Sequence, residues 1–290
     1  MPELPEITAH AERLETLVGG VGLERFEPLS FTALKTFAPP PESAHGESLA
    51  RVGVRGKHLL LDLSAVTFVV HLMQGGRLRP DTSTAKRPRK GVARWHFADG
   101  QRLLLTEAGT EKRAGVWVVA GDPLSQEPLD HLGPDADQVT VEQLAELLAA
   151  HSMRLHTFLR DQRVLAGVGR RLANEICHRA KLSPFTQTRA LDDDTIPTLH
   201  AAIGATIAEG LADERGRDTM SASKDRPAQV HSRTGEPCPV CDDEVREITY
   251  NRYTVNYCAT CQTGGRILAD NALSRLGVDK KEWGRGRQHR

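Results

Sequence analysis

The sequence predicts an α+β protein: a leading helix on an antiparallel β-sandwich, then a run of helices, then a β-hairpin bracketed by four cysteines. Three observations carry this reading. Between Val52 and Val119 short β-branched, aromatic and leucine runs are divided by Gly or Asp-Gly turns, the pattern of a sandwich. From Val141 to Leu211 the apolar residues recur at helical spacing. Near the carboxy terminus, Cys238-x2-Cys241 and Cys258-x2-Cys261 flank a stretch that alternates in polarity. A chain of 290 residues exceeds the usual size of one core, so two or three modules are expected.

Each element has its own signature. Leu4, Ile7, Ala11, Leu14 and Val18 lie on one helical face, which predicts a helix over 4–18. Leu59 to Leu63, Thr67 to Leu72, Arg94 to Phe97, Leu103 to Thr106 and Val116 to Val119 read as strands. A connector from Gly121 to Asp137 holds three prolines. Helices follow over Val141–Ala150, Met153–Arg160, Arg170–Arg179 and Thr195–Leu211, with the glycine turn Leu165-Ala-Gly-Val-Gly169 between two of them. That turn reads either as a plain helix-helix connection or as helix amides facing a phosphate. Glu244 to Tyr257 predicts a hairpin with Asn251-Arg252 near its tip.

Four cysteines in two close pairs let four thiolates converge tetrahedrally on a metal, which predicts one structural Zn2+ held by Cys238, Cys241, Cys258 and Cys261. Such a closed site builds a fold and leaves no position for reaction. Cys177 sits in a helical pattern and reads as a small buried apolar residue. The formal net charge is zero, which excludes a uniformly basic coat. Basic residues nevertheless gather between Arg51 and Arg94, and acids between Glu127 and Glu146, an asymmetry that suits a polyanionic partner. No apolar stretch approaches the roughly 20 residues of a membrane span, and the start lacks the apolar stretch of a signal peptide. A cytoplasmic protein without a membrane partner is expected. Pro2 would become the terminal residue on removal of Met1. A terminal secondary amine titrates near pH 8, so much of it is neutral at physiological pH and able to attack an electrophilic carbon.

Six segments occur together and in order: Pro2-Glu3-Leu4-Pro5-Glu6, Arg55-Gly56-Lys57, Val69-Val-His-Leu72, His131-Leu-Gly-Pro-Asp135, Leu165-Ala-Gly-Val-Gly169 and Gly235-Glu-Pro-Cys238. Through them the chain, from residue 2 to about 262, resembles the formamidopyrimidine-DNA glycosylase and endonuclease VIII family. The resemblance implies a bacterial, nucleoid-associated base-excision repair enzyme, a monomer on damaged double-stranded DNA. It also implies an eight-stranded catalytic sandwich (1–132), a helix-two-turn-helix domain (138–233), a zinc finger (234–262) and a tail (263–290). In such enzymes a flipped lesion nucleotide meets an amine that attacks the sugar. The resemblance gives Pro2 that role, with β- and δ-elimination to follow. Glu3 shuttles protons, Lys57 holds a phosphate near the lesion, and Glu6 is a further catalytic candidate that also suits the helix dipole.

The sequence departs from the family at the DNA contacts. Arg170 stands where asparagine is usual, and its guanidinium can bind phosphate in a different way. Arg252 is the candidate phosphate-binding arginine of the hairpin. The loop from Thr106 to Gly115 keeps Lys112 and Arg113 but has Ala114 in place of an aromatic wedge, so Met73, Gln74, Lys112 and Arg113 are expected to fill the void left by the flipped base. Gly216 to Arg233, expected over the flipped base, contains no aromatic residue. The lesion class stays open between oxidised purines and pyrimidines. The competing function is a catalytically idle zinc-containing protein that senses DNA damage or structure.

Overall fold

A computed structural model describes residues 1–83, 85–109, 113–250 and 253–268. The chain divides into two compact units, each drawn from separate stretches of sequence. The first comprises Met1–Gln138, Asp161–Gly169 and Ile207–Arg226, and the second Val139–Arg160, Arg170–Thr206 and Pro227–Arg290.

The first unit opens with α1 (Leu4–Val18). Its strands are β1 (Leu23–Pro28), β2 (Arg51–Arg55), β3 (His58–Asp62), β4 (Thr67–His71), β5 (Gly76–Pro80), β6 (Gly91–Phe97), β7 (Arg102–Glu107) and β8 (Gly115–Val119). They form two four-stranded antiparallel sheets, ordered β1-β6-β7-β5 and β2-β3-β4-β8. Phe26, Trp95, Phe97, Leu103 and Leu105 of one sheet share a core with Leu59, Leu61, Phe68 and Val70 of the other. Trp95 meets Phe26 edge-on at 5.0 Å and Phe68 at 6.0 Å, a favoured aromatic geometry. Ile7, Ala11, Leu14 and Val18 of α1 join this core, as their spacing predicts. Leu60 of β3, Val69 of β4, and Trp117 and Val119 of β8 form a second cluster with Leu129, apart from the sandwich core. Burial on both faces is why β3 reads as an unbroken apolar run.

The second unit holds α2 (Val141–Ala150), α3 (Leu155–Arg160), α4 (Arg170–Arg179) and α6 (Ala259–Thr263), with the hairpin of β9 (Val245–Tyr250) and β10 (Tyr253–Cys258). Helix α5 (Thr195–Arg215) begins in this unit and its last turns belong to the first. Helix α4 is buried from Arg171 to His178. Within it the Glu175 carboxylate accepts the backbone N–H groups of Gln229, Val230 and His231 at 2.7, 3.1 and 2.8 Å, fixing the segment that leads to the first cysteine pair. Cys177 is fully buried in α4, and burial pushes its thiol well above the usual range, so it stays a protonated core residue. No helix among the described residues is long and apolar enough to cross a membrane.

Candidate active site and metal centre

Four of the segments singled out in the sequence meet within the first unit. Pro5 stands in the first turn of α1, where a missing N–H costs nothing, and Glu3 is the extended residue before that turn. The Glu6 carboxylate accepts the Glu3 N–H at 2.7 Å. The start of the helix is tied to the glycine turn by a Leu4 N–H to Gly167 carbonyl bond of 3.0 Å. Pro2, Glu3, Glu6 and Lys57 are all buried, and the Lys57 ammonium donates to the Val168 carbonyl at 2.8 Å. Gly167 has φ +95°, and a Cβ there would lie 2.9 Å from Leu4 Cβ. At Gly169 a Cβ would lie 2.5 Å from Cδ of Glu3. Both glycines are therefore demanded by the approach of the turn to the catalytic candidates.

The turn is held from its other side. Gln162 accepts the Gly167 N–H at 3.0 Å and donates to the Val168 carbonyl at 2.8 Å, so that carbonyl serves both Gln162 and Lys57. Ala166 exchanges backbone bonds with Pro134 and Ala136. Asp135 receives Arg55 Nη1 and the Gly56 N–H, each at 2.7 Å, while Arg55 Nη2 reaches the Gly133 carbonyl at 2.6 Å. Arg55-Gly-Lys57 and His131-Leu-Gly-Pro-Asp135 are thus two halves of one clamp that places Lys57. Burial raises the Asp135 carboxyl and Arg55 opposes that shift.

Two histidines stand behind the lysine. His58 and His71 lie with ring centroids 4.6 Å apart. Burial, the Lys57 charge and the amino terminus pull His71 down to about 4, and burial with His71 beside it pulls His58 to about 3. Both rings are neutral at physiological pH, and His71 Nδ1 accepts the Met73 N–H at 3.0 Å. Beyond them the chain turns tightly. Met73 adopts φ +51°, and side chains at Gly75 and Gly76 would run into the Ala108 and Leu72 carbonyls. The turn leaves Met73 half-buried and Gln74 exposed. Arg113 is exposed too. Ala114 is 1% exposed within the sandwich core, its N–H bound to Glu107 at 2.8 Å, so this position presents no side chain at the surface. Lys112 lies outside the described residues, as does Arg252.

In the second unit the four cysteines converge, with all Sγ atoms within 4.8 Å of one another. Cys238 and Cys241 come from the turn before β9, and Cys258 and Cys261 from the start of α6. Four thiols in this arrangement suit a tetrahedral soft-metal site. Arg170 is exposed at the first position of α4, whereas Arg171 beside it is buried. The hairpin is supported near its tip by Tyr253, which stacks on His156 at 5.7 Å and lies 3.9 Å beneath the Arg160 guanidinium.

Asp135, Gly169 and Arg226 gained no role from sequence reasoning. The first two lie inside motifs that were singled out, so their position was a signal without an assignment. Arg226 carries no local signal. In the fold its guanidinium lies against Glu6, with Nε to Oε1 at 3.4 Å.

The sequence matches the model of the formamidopyrimidine-DNA glycosylase N-terminal domain over residues 1–112 and that of the family's H2TH domain over residues 129–222. It is 30% identical over 279 residues to the formamidopyrimidine-DNA glycosylase of Symbiobacterium thermophilum, covering 90% of this chain and 89% of that one. The Bacillus subtilis protein of the same name is 29% identical, with 91% and 99% covered. A shorter relative, an uncharacterized formamidopyrimidine-DNA glycosylase-like protein of Mycobacterium tuberculosis, is 42% identical over 147 residues, half of this chain and 93% of its own. The crystal structure of the Thermus thermophilus MutM (Fpg) protein matches with a TM-score of 0.77 at 27% identity, covering 90% of this chain and 98% of that one. The Lactococcus lactis protein, solved with DNA containing an AP site, shares the fold with a TM-score of 0.80 at 22% identity, covering 90% and 99%. Motifs, fold and relatives agree over nine-tenths of the sequence, and the chain belongs to the formamidopyrimidine-DNA glycosylase family.

Proposed function

We propose that this base-excision repair DNA glycosylase is bifunctional, removing oxidised bases and then cleaving the abasic strand through a Schiff base on Pro2. The observation that carries this reading is the convergence of Pro2, Glu3, Glu6 and Lys57 in one buried cluster closed by the glycine turn. Once Met1 is removed, the proline nitrogen attacks C1′ of the flipped nucleotide. The base leaves, and the resulting iminium acidifies the C2′ proton, so that β-elimination and then δ-elimination cut the strand on both sides. Glu3, pressed against Gly169 beside the amine, moves protons between the sugar and the departing groups. Lys57, anchored through the Val168 carbonyl, binds a phosphate next to the lesion. The clamp made by Arg55 and Asp135 keeps that lysine in place.

Arg170 and the hairpin, with Arg252 as its candidate phosphate-binding arginine, grip the DNA backbone. Cys238, Cys241, Cys258 and Cys261 hold a zinc ion that supplies fold alone and takes no part in the reaction. Met73, Gln74, Lys112 and Arg113 fill the void left by the flipped base. Borohydride trapping tests the whole reading. Processed protein becomes covalently attached to duplex DNA carrying an abasic site, and protein that retains Met1 does not. Failure of processed protein to be trapped would leave an idle DNA-binding protein as the better description.

A further inference from the structure

We propose that Arg226 is a further catalytic residue, which donates a hydrogen bond to the sugar ring oxygen O4′ as the lesion nucleoside opens. The inference rests on the reading of Pro2 as nucleophile and adds a residue that the family motifs do not contain.

In the unprocessed chain the Pro2 nitrogen is bonded to the Met1 carbonyl carbon, and that carbon carries one oxygen. The oxygen accepts a hydrogen bond from Arg226 Nη1 at 3.2 Å. When the freed proline attacks the lesion, its nitrogen is bonded instead to C1′, a carbon that also carries an oxygen, O4′. Met1 therefore marks the place of the sugar, its carbonyl carbon standing for C1′ and its carbonyl oxygen for O4′. The donor that binds one is placed to bind the other.

The surroundings of Arg226 support a ligand there. Its side chain is 3% exposed and that of Glu6 2%. Arg226 Nε donates to Ser221 Oγ at 3.1 Å and faces Glu6 Oε1 at 3.4 Å, so Glu6 balances the buried charge. Nη2 is buried without a hydrogen-bond partner. Removal of Met1 takes the partner of Nη1 as well. A guanidinium kept only to pair with Glu6 would leave two buried amino groups unsatisfied beside the nucleophile, a costly arrangement unless substrate fills it. The loop is built to hold Arg226 inward: Glu214 accepts the Ser221 N–H at 2.7 Å, and Arg217 donates to the Asp225 carbonyl at 3.0 Å.

The step balances without a co-reactant. The proline lone pair forms the N–C1′ bond, the C1′–O4′ bond breaks with its electron pair on O4′, and the proton shed by the proline nitrogen is passed through Glu3 to O4′. Arg226 gives up no proton. It stabilises the negative charge that grows on O4′, as a preorganised donor does for an oxyanion.

The test compares wild type with Arg226→Met, which removes both donors, and Arg226→Lys, which keeps a charge for Glu6. Binding is measured on duplexes carrying a tetrahydrofuran abasic analogue, which has the ring oxygen, and a cyclopentane analogue, which has a methylene in its place. Wild type is expected to prefer tetrahydrofuran about tenfold or more, the scale of one hydrogen bond to a charged group. That preference is expected to vanish in Arg226→Met and to shrink in Arg226→Lys. A variant that is merely loosened weakens both duplexes alike, so the ratio isolates the contact, and the reduced ratio of Arg226→Lys carries the test if the methionine variant does not fold. Single-turnover borohydride trapping on abasic DNA is expected to fall about 10²-fold in Arg226→Met. An unchanged tetrahydrofuran preference in the folded variant, with wild-type protein trapped normally, overturns the role of Arg226 alone. Wild-type protein that binds but is never trapped overturns the proline nucleophile and this inference with it.

Discussion

Replacing Gly169 by alanine would separate the placement of Glu3 from the folding of the protein. The backbone at Gly169 lies outside the left-handed region, so alanine meets no conformational penalty there. The added methyl carbon would lie 2.5 Å from Cδ and 2.7 Å from Cγ of Glu3, where real contacts begin at about 3.4 Å. Something must move by about 1 Å, and the Glu3 side chain gives before the backbone of a turn pinned by Gln162 and Leu4. A displacement of that size at a catalytic group costs about 10²-fold in rate. The accompanying overpacking costs about 1–3 kcal/mol of stability. Single-turnover base excision, with urea denaturation on the same preparation, reads both quantities. Gly204, in the interior of α5 with nothing within 4 Å of its added Cβ, is the control, and Gly204→Ala should leave excision unchanged. Folded Gly169→Ala protein that excises at the wild-type rate would refute the placement of Glu3 argued here.

Three further outcomes are expected. His10, His58 and His71 of the first unit are pulled down to about 4, 3 and 4 by burial, whereas the unfolded chain protonates near 6.5. Their contribution to stability is therefore complete above pH 6.5 and is lost toward pH 4, at about 1.4 kcal/mol per pH unit for each histidine. Denaturation midpoints at pH 7.5 and pH 5 that coincide would contradict this. Cys241→Ser should release one zinc ion per chain and cost DNA binding while the sandwich stays folded, as read by elemental analysis, circular dichroism and gel shift. Glu175→Ala strips the acceptor from three backbone N–H groups and should destabilise the zinc-loaded second unit by at least about 3 kcal/mol, measured by denaturant unfolding.

Much of the fold was legible because the relevant signals are local. The apolar runs of β3, β4 and β8 announce central or doubly covered strands, and the helical periods of α1, α2 and α4 appear where predicted. The strands β1, Leu-Glu-Arg-Phe-Glu-Pro, and β5, Gly-Arg-Leu-Arg-Pro, escaped notice. They are the two edges of their sheet, where charged residues and a terminal proline are tolerated and the apolar signal is thin. In the candidate site, short motifs singled out Pro2, Glu3 and Lys57, and the fold buries all three about the glycine turn. The lack of an aromatic wedge at Ala114 was legible, but its burial in the sandwich core was not, because that depends on which way the loop turns into β8. Arg226 and Glu6 are 220 positions apart in sequence, and the contact between them leaves no trace in either neighbourhood.

The first unit is assembled from three separated pieces of chain, the last ending at Arg226. During translation the sandwich strands leave the ribosome long before the glycine turn that closes on Glu3, and the turn in turn precedes the loop that carries Arg226. At roughly 5–20 residues per second the nascent sandwich must wait seconds without its closing pieces. A fragment ending at Gln138 would therefore hold every strand of the sandwich and an unfinished reaction centre, and a gene cut between the two family domains could not be rescued by appending a different helical module. The candidate reaction centre is therefore completed only once Arg226 has been made, whereas the amine of Pro2 exists from the moment Met1 is removed.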